Sequence, residues 1–192
     1  EQDRLIFLVS GGGSALFEAL PDGITLEDLE ELNRNLIGSG AAITEINAVR
    51  KHLSEVKGGR FARRCAPASV VNVVLSDIIG DPLDAIASGP AYPDASTCDD
   101  AMNVIAKYGI GITDRMHEAI LQETPKQLPN ISSCITGNVQ ALCEGAKAKA
   151  EQLGYTPCIL TTTLDCEARE AGAFFASIAR QIRKGGTGFK TP

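Results

Sequence analysis

The amino-acid sequence predicts an α/β fold, a three-layer Rossmann-like domain built on a mostly parallel sheet. Short apolar runs of strand length recur along the chain, and each ends at glycine or polar residues. Segments whose apolar residues recur every three or four positions separate these runs, and that spacing is typical of amphipathic helices. Strands that alternate with helices in this way indicate βαβ units. We therefore expect residues 1–192 to form a single α/β domain.

The first half of the chain is predicted to contain two strands and two long helices. Residues 5–9 are a continuous apolar run that leads into a glycine-rich turn. Residues 26–37 follow a helix-starting threonine and carry apolar side chains at helical spacing. A second helix is predicted over residues 43–57, where a glycine pair then ends it. A second buried strand is predicted over residues 69–75.

The second half of the chain continues the alternation of helices and strands. Amphipathic spacing again indicates the helices, and short runs of strand-forming residues indicate the strands. The predicted elements are helices over 97–108, 114–122, 139–153 and 165–184 and strands over 131–135 and 155–160. A glycine-rich segment, 185–188, follows as a flexible exit, and we expect the chain to belong to a longer protein.

Composition excludes several classes of protein. The net charge of −6 argues against a general nucleic-acid binder, because such proteins carry a basic surface that displaces counterions. No apolar stretch reaches the roughly 18 residues that a membrane-spanning helix needs. The six cysteines form no CxxC pair and there are only two histidines, so a zinc site is not expected. Scattered cysteines without a secretion signal favour a cytoplasmic protein.

Polar or glycine-rich residues follow four of the predicted strands. They lie at 10–14, 76–77, 136–138 and 161–163. In open parallel sheets, ligands bind beyond the carboxyl ends of the strands. We therefore expect the ligand site at the edge of the sheet where these ends meet.

The turn after the first strand consists of Ser10, Gly11, Gly12, Gly13 and Ser14. Glycines allow backbone N–H groups to approach a phosphate without interference from a Cβ atom. The turn is neither a Walker A loop nor a GxGxxG or GxSxG motif, because Leu16 occupies the place of the last glycine. It indicates either an anion-binding loop or a tight strand–helix turn that needs glycine for packing.

Polar residues also share one face of the predicted helix 43–57. Asn47, Arg50, Ser54 and Lys57 recur every three or four positions. Arginine can bind a carboxylate or phosphate through two hydrogen bonds, and lysine can neutralise a phosphate. The alternative is a solvated face whose cations suit the carboxyl end of the helix.

Two acidic residues follow the second strand. Asp77 comes directly after the strand end, and Asp81 lies four residues further on. Mg²⁺ is usually held by one or two carboxylates together with substrate phosphates, so these residues are candidate metal ligands. A loop rich in turn-forming residues is the alternative interpretation.

Three of these segments together resemble the class II glycerate kinase family, whose members have a C-terminal MOFRL domain. The matching stretches are VSGGGSAL at 9–16, EINAVRKHLS at 45–54 with KGG at 57–59, and LSD at 75–77 through GD at 80–81 to IASGP at 86–90. Residues 95–185 match only as a pattern of helices and strands.

The resemblance implies ATP-dependent phosphorylation of D-glycerate with Mg²⁺, in a two-domain protein whose larger N-terminal domain would include this chain. It implies small-molecule partners, a C-terminal domain outside the chain and a possible homodimer. Gly11, Gly12, Gly13 and Ser14, with Ser10, would cradle a phosphate or the glycerate carboxylate. Arg50 and Lys57 would hold anionic oxygens, and Asn47 and Ser54 would position the ligand. Asp77 or Asp81 would hold the metal or orient the acceptor hydroxyl.

Two other functions stay open at this point. Relatives of this family have also been described as hydroxypyruvate reductases, but a nicotinamide site would require the third glycine that Leu16 replaces. A non-catalytic domain that binds sugar acids or sugar phosphates could also use a serine- and glycine-rich loop, without ATP or a metal.

Overall fold

The computed structural model of this protein describes residues 3–185. They fall into two units that divide between Asn138 and Val139. The first unit contains the sheet and all of the candidate site residues.

Three parallel strands form the sheet of the first unit. They are β1 (Arg4–Ser10), β2 (Ser69–Leu75) and β3 (Ile131–Gly137). Their order in the sheet is β1-β2-β3, and both ladders are parallel. The α/β fold with a parallel sheet is thus confirmed, and so are the three strands predicted in this unit, although β3 extends two residues beyond the prediction. Because all three strands run parallel, their carboxyl ends lie together at one edge of the sheet.

Three aromatic rings pack together beside β1 and connect it to the residue that follows the glycine turn and the short helix Gly13–Leu16. The ring of Phe7 on β1 lies 5.5 Å from that of Phe17, which follows the turn, and 4.6 Å from that of Phe61. The Phe17 and Phe61 rings meet edge to face at 5.3 Å. Aromatic pairs at these distances add about 0.5–1.5 kcal/mol each beyond their buried area. The turn is therefore held against the sheet by a cluster of three rings.

Six α-helices are described in the first unit. They are α1 (Gly13–Leu16), α2 (Leu26–Gly38), α3 (Ile43–His52), α4 (Arg60–Cys65), α5 (Cys98–Tyr108) and α6 (Asp114–Ile120). The main apolar core lies among α2, α3, α5 and α6, where Leu36, Val49 and Ile120 are fully buried. Capping boxes start α2 at Thr25 and α5 at Thr97, which explains why sequence patterns located both helices well.

The predicted helix over 43–57 was wrong in its last five residues, 53–57. Helix α3 ends at His52, and the chain then turns through residues 53–59. The hydroxyl oxygen of Ser54 accepts hydrogen bonds from the backbone N–H groups of Val56 and Lys57, at 3.2 and 3.1 Å. Serine side chains that bind nearby backbone N–H groups offer the chain an alternative to helix. Ser54 and Lys57 are therefore not on the helix that carries Asn47 and Arg50.

The second unit contains α7 (Val139–Gln152) and α8 (Ala168–Arg183). Both helices were predicted, although α8 begins three residues later than expected. The predicted strand over 155–160 was wrong, since those residues are described without strand structure. Within the described part of this unit no neighbouring strand pairs with them, and Pro157 lacks a backbone N–H for such a ladder. The predicted exit at 186–188 lies outside the described residues.

None of the helices within residues 3–185 combines the length and apolarity needed to cross a bilayer.

A single carboxylate joins α3 to α5. Glu45 accepts hydrogen bonds from the Ala42 backbone N–H at 2.9 Å, the Lys107 ammonium at 2.6 Å and the Tyr108 hydroxyl at 2.8 Å. The bond from Lys107, followed by those from Ala42 and Tyr108, lowers the pKa of Glu45 from 4.5 to about 2. Folding therefore favours the ionised form of this side chain.

The pH dependence of stability follows from that depressed pKa. The contribution of Glu45 is fully present above pH 4.5 and is lost as the pH falls towards about 2. We expect Glu45→Gln to destabilise the protein at neutral pH, and the difference from wild type to shrink between pH 4.5 and 2. Urea unfolding across this range measures the effect, with Glu30→Gln on the exposed face of α2 as the control. A difference that stays constant with pH would contradict the assignment.

Candidate functional site

The glycine turn lies beside the end of β2. Ser10 is paired with Leu75 in the parallel ladder, so the residues that follow the two strands emerge side by side. A Cβ atom at Gly11 would overlap the carboxylate of Asp77. The Asp77 carboxylate therefore lies directly against the backbone of the turn, and a larger residue at position 11 would displace it. The structure thus brings together two of the elements that the sequence predicted to share a site.

Arg50 contacts the same turn from α3. Its Nη2 donates a hydrogen bond to the backbone carbonyl of Ser14 at 3.3 Å. The guanidinium is only partly buried, and its Nε is buried without a hydrogen-bond partner among the described residues. A buried polar group without a partner costs free energy and needs an explanation. The arginine is thus placed at the turn with donor capacity that contacts within this unit do not use.

Ser14 is connected to Asn47 through a residue for which the sequence offered little signal. The Ser14 and Ser88 hydroxyl oxygens are 2.7 Å apart. Ser88 in turn donates to Asn47 Oδ1 at 3.5 Å. Apart from its position in the IASGP stretch, nothing in the sequence pointed to this contact. Asn47 and Ser14, predicted separately, therefore belong to one chain of hydrogen bonds.

Ser88 lies in a buried backbone turn of left-handed conformation. Ala87, Ser88 and Gly89 have φ values of 51°, 61° and 62°. Non-glycine residues adopt such values rarely, and strained backbone of this kind persists only where surrounding contacts determine it. Two backbone N–H groups supply those contacts: Gly58 donates to the Ser88 carbonyl at 3.0 Å, and Gly59 to that of Gly89 at 2.7 Å.

Lys57 supports the turn from the interior of the protein. Its Nζ donates to the Phe17 carbonyl at 2.9 Å and to Glu18 Oε2 at 2.6 Å, and its side chain has no exposed surface. Ser54 donates to the other carboxylate oxygen of Glu18 at 2.5 Å. Burial lowers the pKa of Lys57, and the bond with Glu18 opposes that effect. Lys57 and Ser54 thus hold residues 17–18, and their predicted contact with a ligand stays a prediction.

The end of β3 reaches the same region through Asp81. Asp81 Oδ2 accepts a hydrogen bond from Asn138 Nδ2 at 2.6 Å. Bonds from Ser76 and then from Asn138 lower the pKa of Asp81. Three predicted strand ends therefore adjoin one another, at residues 10–14, 76–77 and 136–138. The fourth predicted end, 161–163, was wrong, because no described strand precedes it.

A buried ion pair fixes the segment that contains the left-handed turn. Lys51 Nζ lies 3.0 Å from Asp94 Oδ1 and 3.3 Å from Asp84 Oδ2. Burial by itself would raise the pKa of Asp94, but the charge of Lys51 and bonds from Ser96 lower it overall. Lys51 thus ties both ends of residues 84–94 to α3.

Gly89 tests how tightly this region is packed. A Cβ atom at position 89 would lie 2.8 Å from the backbone oxygen of Asp84, whereas one at Gly109 would meet nothing within 4 Å. The two glycines have nearly the same φ, 62° and 60°. Gly109→Ala should cost about 1–2 kcal/mol of stability for the left-handed backbone. Gly89→Ala should cost roughly 1–3 kcal/mol more because of the clash.

Urea unfolding of the two variants measures this difference directly. Equal losses of stability in Gly89→Ala and Gly109→Ala would show that residues 84–89 are not packed as described.

Comparisons with known proteins show the family to which the chain belongs. Residues 1–122 match the family model DUF4147, described as a domain of unknown function. The chain is 56% identical to a D-glycerate 2-kinase of Thermotoga maritima over 95% of its own length and 44% of that protein. It is 40% identical to a glycerate 2-kinase of Pyrococcus horikoshii over 100% of its own length and 46% of that protein. It is 39% identical to a putative hydroxypyruvate reductase of Agrobacterium vitis over 99% of its own length and 44% of that protein.

A solved structure is also similar. The crystal structure of a glycerate kinase from Thermotoga maritima superposes with a TM-score of 0.86, at 54% identity, over 99% of this chain and 46% of that one. The chain thus spans less than half the length of each of these relatives.

Proposed function

This chain belongs to the DUF4147 family, and from that membership and its glycerate kinase homologues we propose that its protein transfers a phosphoryl group from ATP to D-glycerate. The observation that carries the proposal is the contact between Arg50 and the glycine turn, beside the carboxylate of Asp77. Three groups are thereby adjacent at the carboxyl edge of a parallel sheet: the Arg50 cation, the glycine backbone, which can approach an anion closely, and the Asp77 carboxylate. That edge is where open α/β sheets bind ligands.

Phosphoryl transfer demands positioning and neutralisation of charge more than covalent chemistry. In the proposed site, the backbone N–H groups of Gly11, Gly12 and Gly13 bind a phosphate or the glycerate carboxylate. Arg50 binds anionic oxygens through the donors that remain beside its bond to Ser14. Ser10 borders the turn at the end of β1.

Lys57 and Ser54 contribute to the proposed site by holding the backbone behind the turn. Their bonds to Phe17 and Glu18 fix the exit of the turn relative to α3. Direct contact of Lys57 with a transferred phosphoryl group would require its pair with Glu18 to open, because the lysine has no exposed surface.

Asp77 is the better candidate for Mg²⁺. Its exposed carboxylate lies against the glycine turn, whereas Asp81 already accepts a hydrogen bond from Asn138. Residues 3–185 contain no cluster of three or more side chains that could cage a metal ion. Mg²⁺ does not need one, because one or two carboxylates plus substrate phosphates are its usual ligands. Bound Mg²⁺ would neutralise charge on the phosphates of ATP.

Neither alternative function gains support from the site. Two relatives carry the name putative hydroxypyruvate reductase, but Leu16 occupies the place where a dinucleotide loop needs its last glycine. A domain that only binds sugar acids would need no metal ligand, and Asp77 beside the turn favours the kinase.

Kinetics of an arginine variant test the proposal. In the intact protein, Arg50→Ala should lower kcat/KM for MgATP-dependent phosphorylation of D-glycerate about 100- to 1,000-fold, the cost of losing one charge-stabilising donor. Arg50→Lys should recover only part of this loss, because lysine cannot form two parallel bonds to one anion. Arg34→Ala, on an exposed position of α2, is the matched control. Near-normal kinetics in Arg50→Ala would refute the assignment.

A further inference from the structure

We propose that Ser88 is a positioning residue that fixes the direction of the Ser14 hydroxyl, so that Ser14 accepts a hydrogen bond from a hydroxyl group of the ligand. This inference rests on the proposed function and deepens it. It assigns the Ser14 side chain to the hydroxyl of a hydroxy acid, and it leaves the anionic groups to other parts of the turn.

The direction of the hydrogen bonds follows from the donors that are available. The Oδ1 atom of Asn47 is a carbonyl oxygen and can only accept, so the single proton of Ser88 is directed towards it. The 2.7 Å contact between the two serine oxygens must then use the proton of Ser14. The only proton of Ser14 Oγ is thereby engaged with Ser88, so towards a ligand this oxygen presents lone pairs and can only accept a hydrogen bond.

Surrounding contacts prevent Ser88 from reorienting. Its side chain has no exposed surface, and its backbone belongs to the buried left-handed turn. The Gly58 N–H binds its carbonyl on one side, and Asn47 on α3 binds its hydroxyl on the other. A side chain held in this way keeps Ser14 in one hydrogen-bonded orientation, which is what a preorganised site requires.

Donors and an acceptor are thereby adjacent at the turn. The Arg50 guanidinium binds the carbonyl of Ser14, so it lies next to the residue whose hydroxyl presents only lone pairs. A ligand with an anionic group on one carbon and a hydroxyl on a neighbouring carbon matches this arrangement. A simple anion would use the donors alone and would make no hydrogen bond to the Ser14 lone pairs.

Ligands that lack one hydroxyl test the assignment. Calorimetry on the intact protein would compare D-glycerate with D-lactate, which lacks the 3-hydroxyl, and with 3-hydroxypropionate, which lacks the 2-hydroxyl. We expect wild type to bind at least one analogue about tenfold or more weakly than glycerate, because a site built for a hydroxyl rejects ligands without it. Ser14→Ala should weaken glycerate binding. It should also bring the ratio of the analogue's Kd to that of glycerate, here called the preference, close to one.

The Ser88 variants separate positioning from packing. Ser88→Ala should reduce the preference as well, since it frees the Ser14 proton, and it should tighten binding of the analogue that wild type rejects. If the role of Ser88 were purely structural, Ser88→Ala would weaken the binding of all three ligands by the same factor. Ser88→Gly removes the same hydroxyl and suits the left-handed backbone, so it serves if the alanine variant does not fold. Ser39→Ala, whose hydroxyl only binds the Leu36 carbonyl at the end of α2, is the control.

The outcomes distinguish this inference from the function on which it rests. Wild type that binds neither glycerate nor its analogues would refute the proposed function. Wild type that phosphorylates glycerate, with an undiminished preference in Ser14→Ala or in both Ser88 variants, would refute only the role of these two serines.

Discussion

The candidate site depends on one buried cation. Lys57 lies in the interior and donates to the carbonyl of Phe17 and the carboxylate of Glu18, the two residues that follow the glycine turn and α1. A buried ammonium is costly unless it is paired and hydrogen-bonded, so these contacts must form whenever the protein is folded. The requirement fixes the exit of the turn relative to the chain after α3. Without it, residues 17–18 would lose their hydrogen bonds to the segment that follows α3.

The rest of the site is built by the same kind of constraint. A second buried lysine, Lys51, anchors residues 84–94 to α3, and these residues contain the strained turn that presents Ser88. Two ion pairs thus secure the backbone on either side of the glycine turn. Catalysis of phosphoryl transfer benefits from donors that are already oriented, since no reorganisation is then needed during the reaction. Rigidity supplied by buried charge would serve the proposed function in this way.

Much of this arrangement could be predicted from the sequence. Apolar runs located β1 and β2, the weaker pattern over 131–135 located β3, and topology then placed the glycine turn next to Asp77. Contacts between distant residues could not be predicted. Ser54 ends α3 early by a local hydrogen bond that competes with helix, and Ser88 owes its role to a backbone conformation that serine rarely adopts. Residues 155–160 failed as a strand because apolar composition does not supply a neighbouring strand.

Unfolding free energies in a double-mutant cycle on Lys57 and Glu18 test the central claim most directly. Lys57→Met should cost about 3–5 kcal/mol, because it leaves Glu18 partly buried without its cation, and adding Glu18→Gln should restore a large part of that loss. Arg115→Met removes a cation from the exposed ion pair with Glu118 and should cost no more than about 1 kcal/mol. If Lys57→Met costs no more than Arg115→Met, the buried cation does not hold the site together.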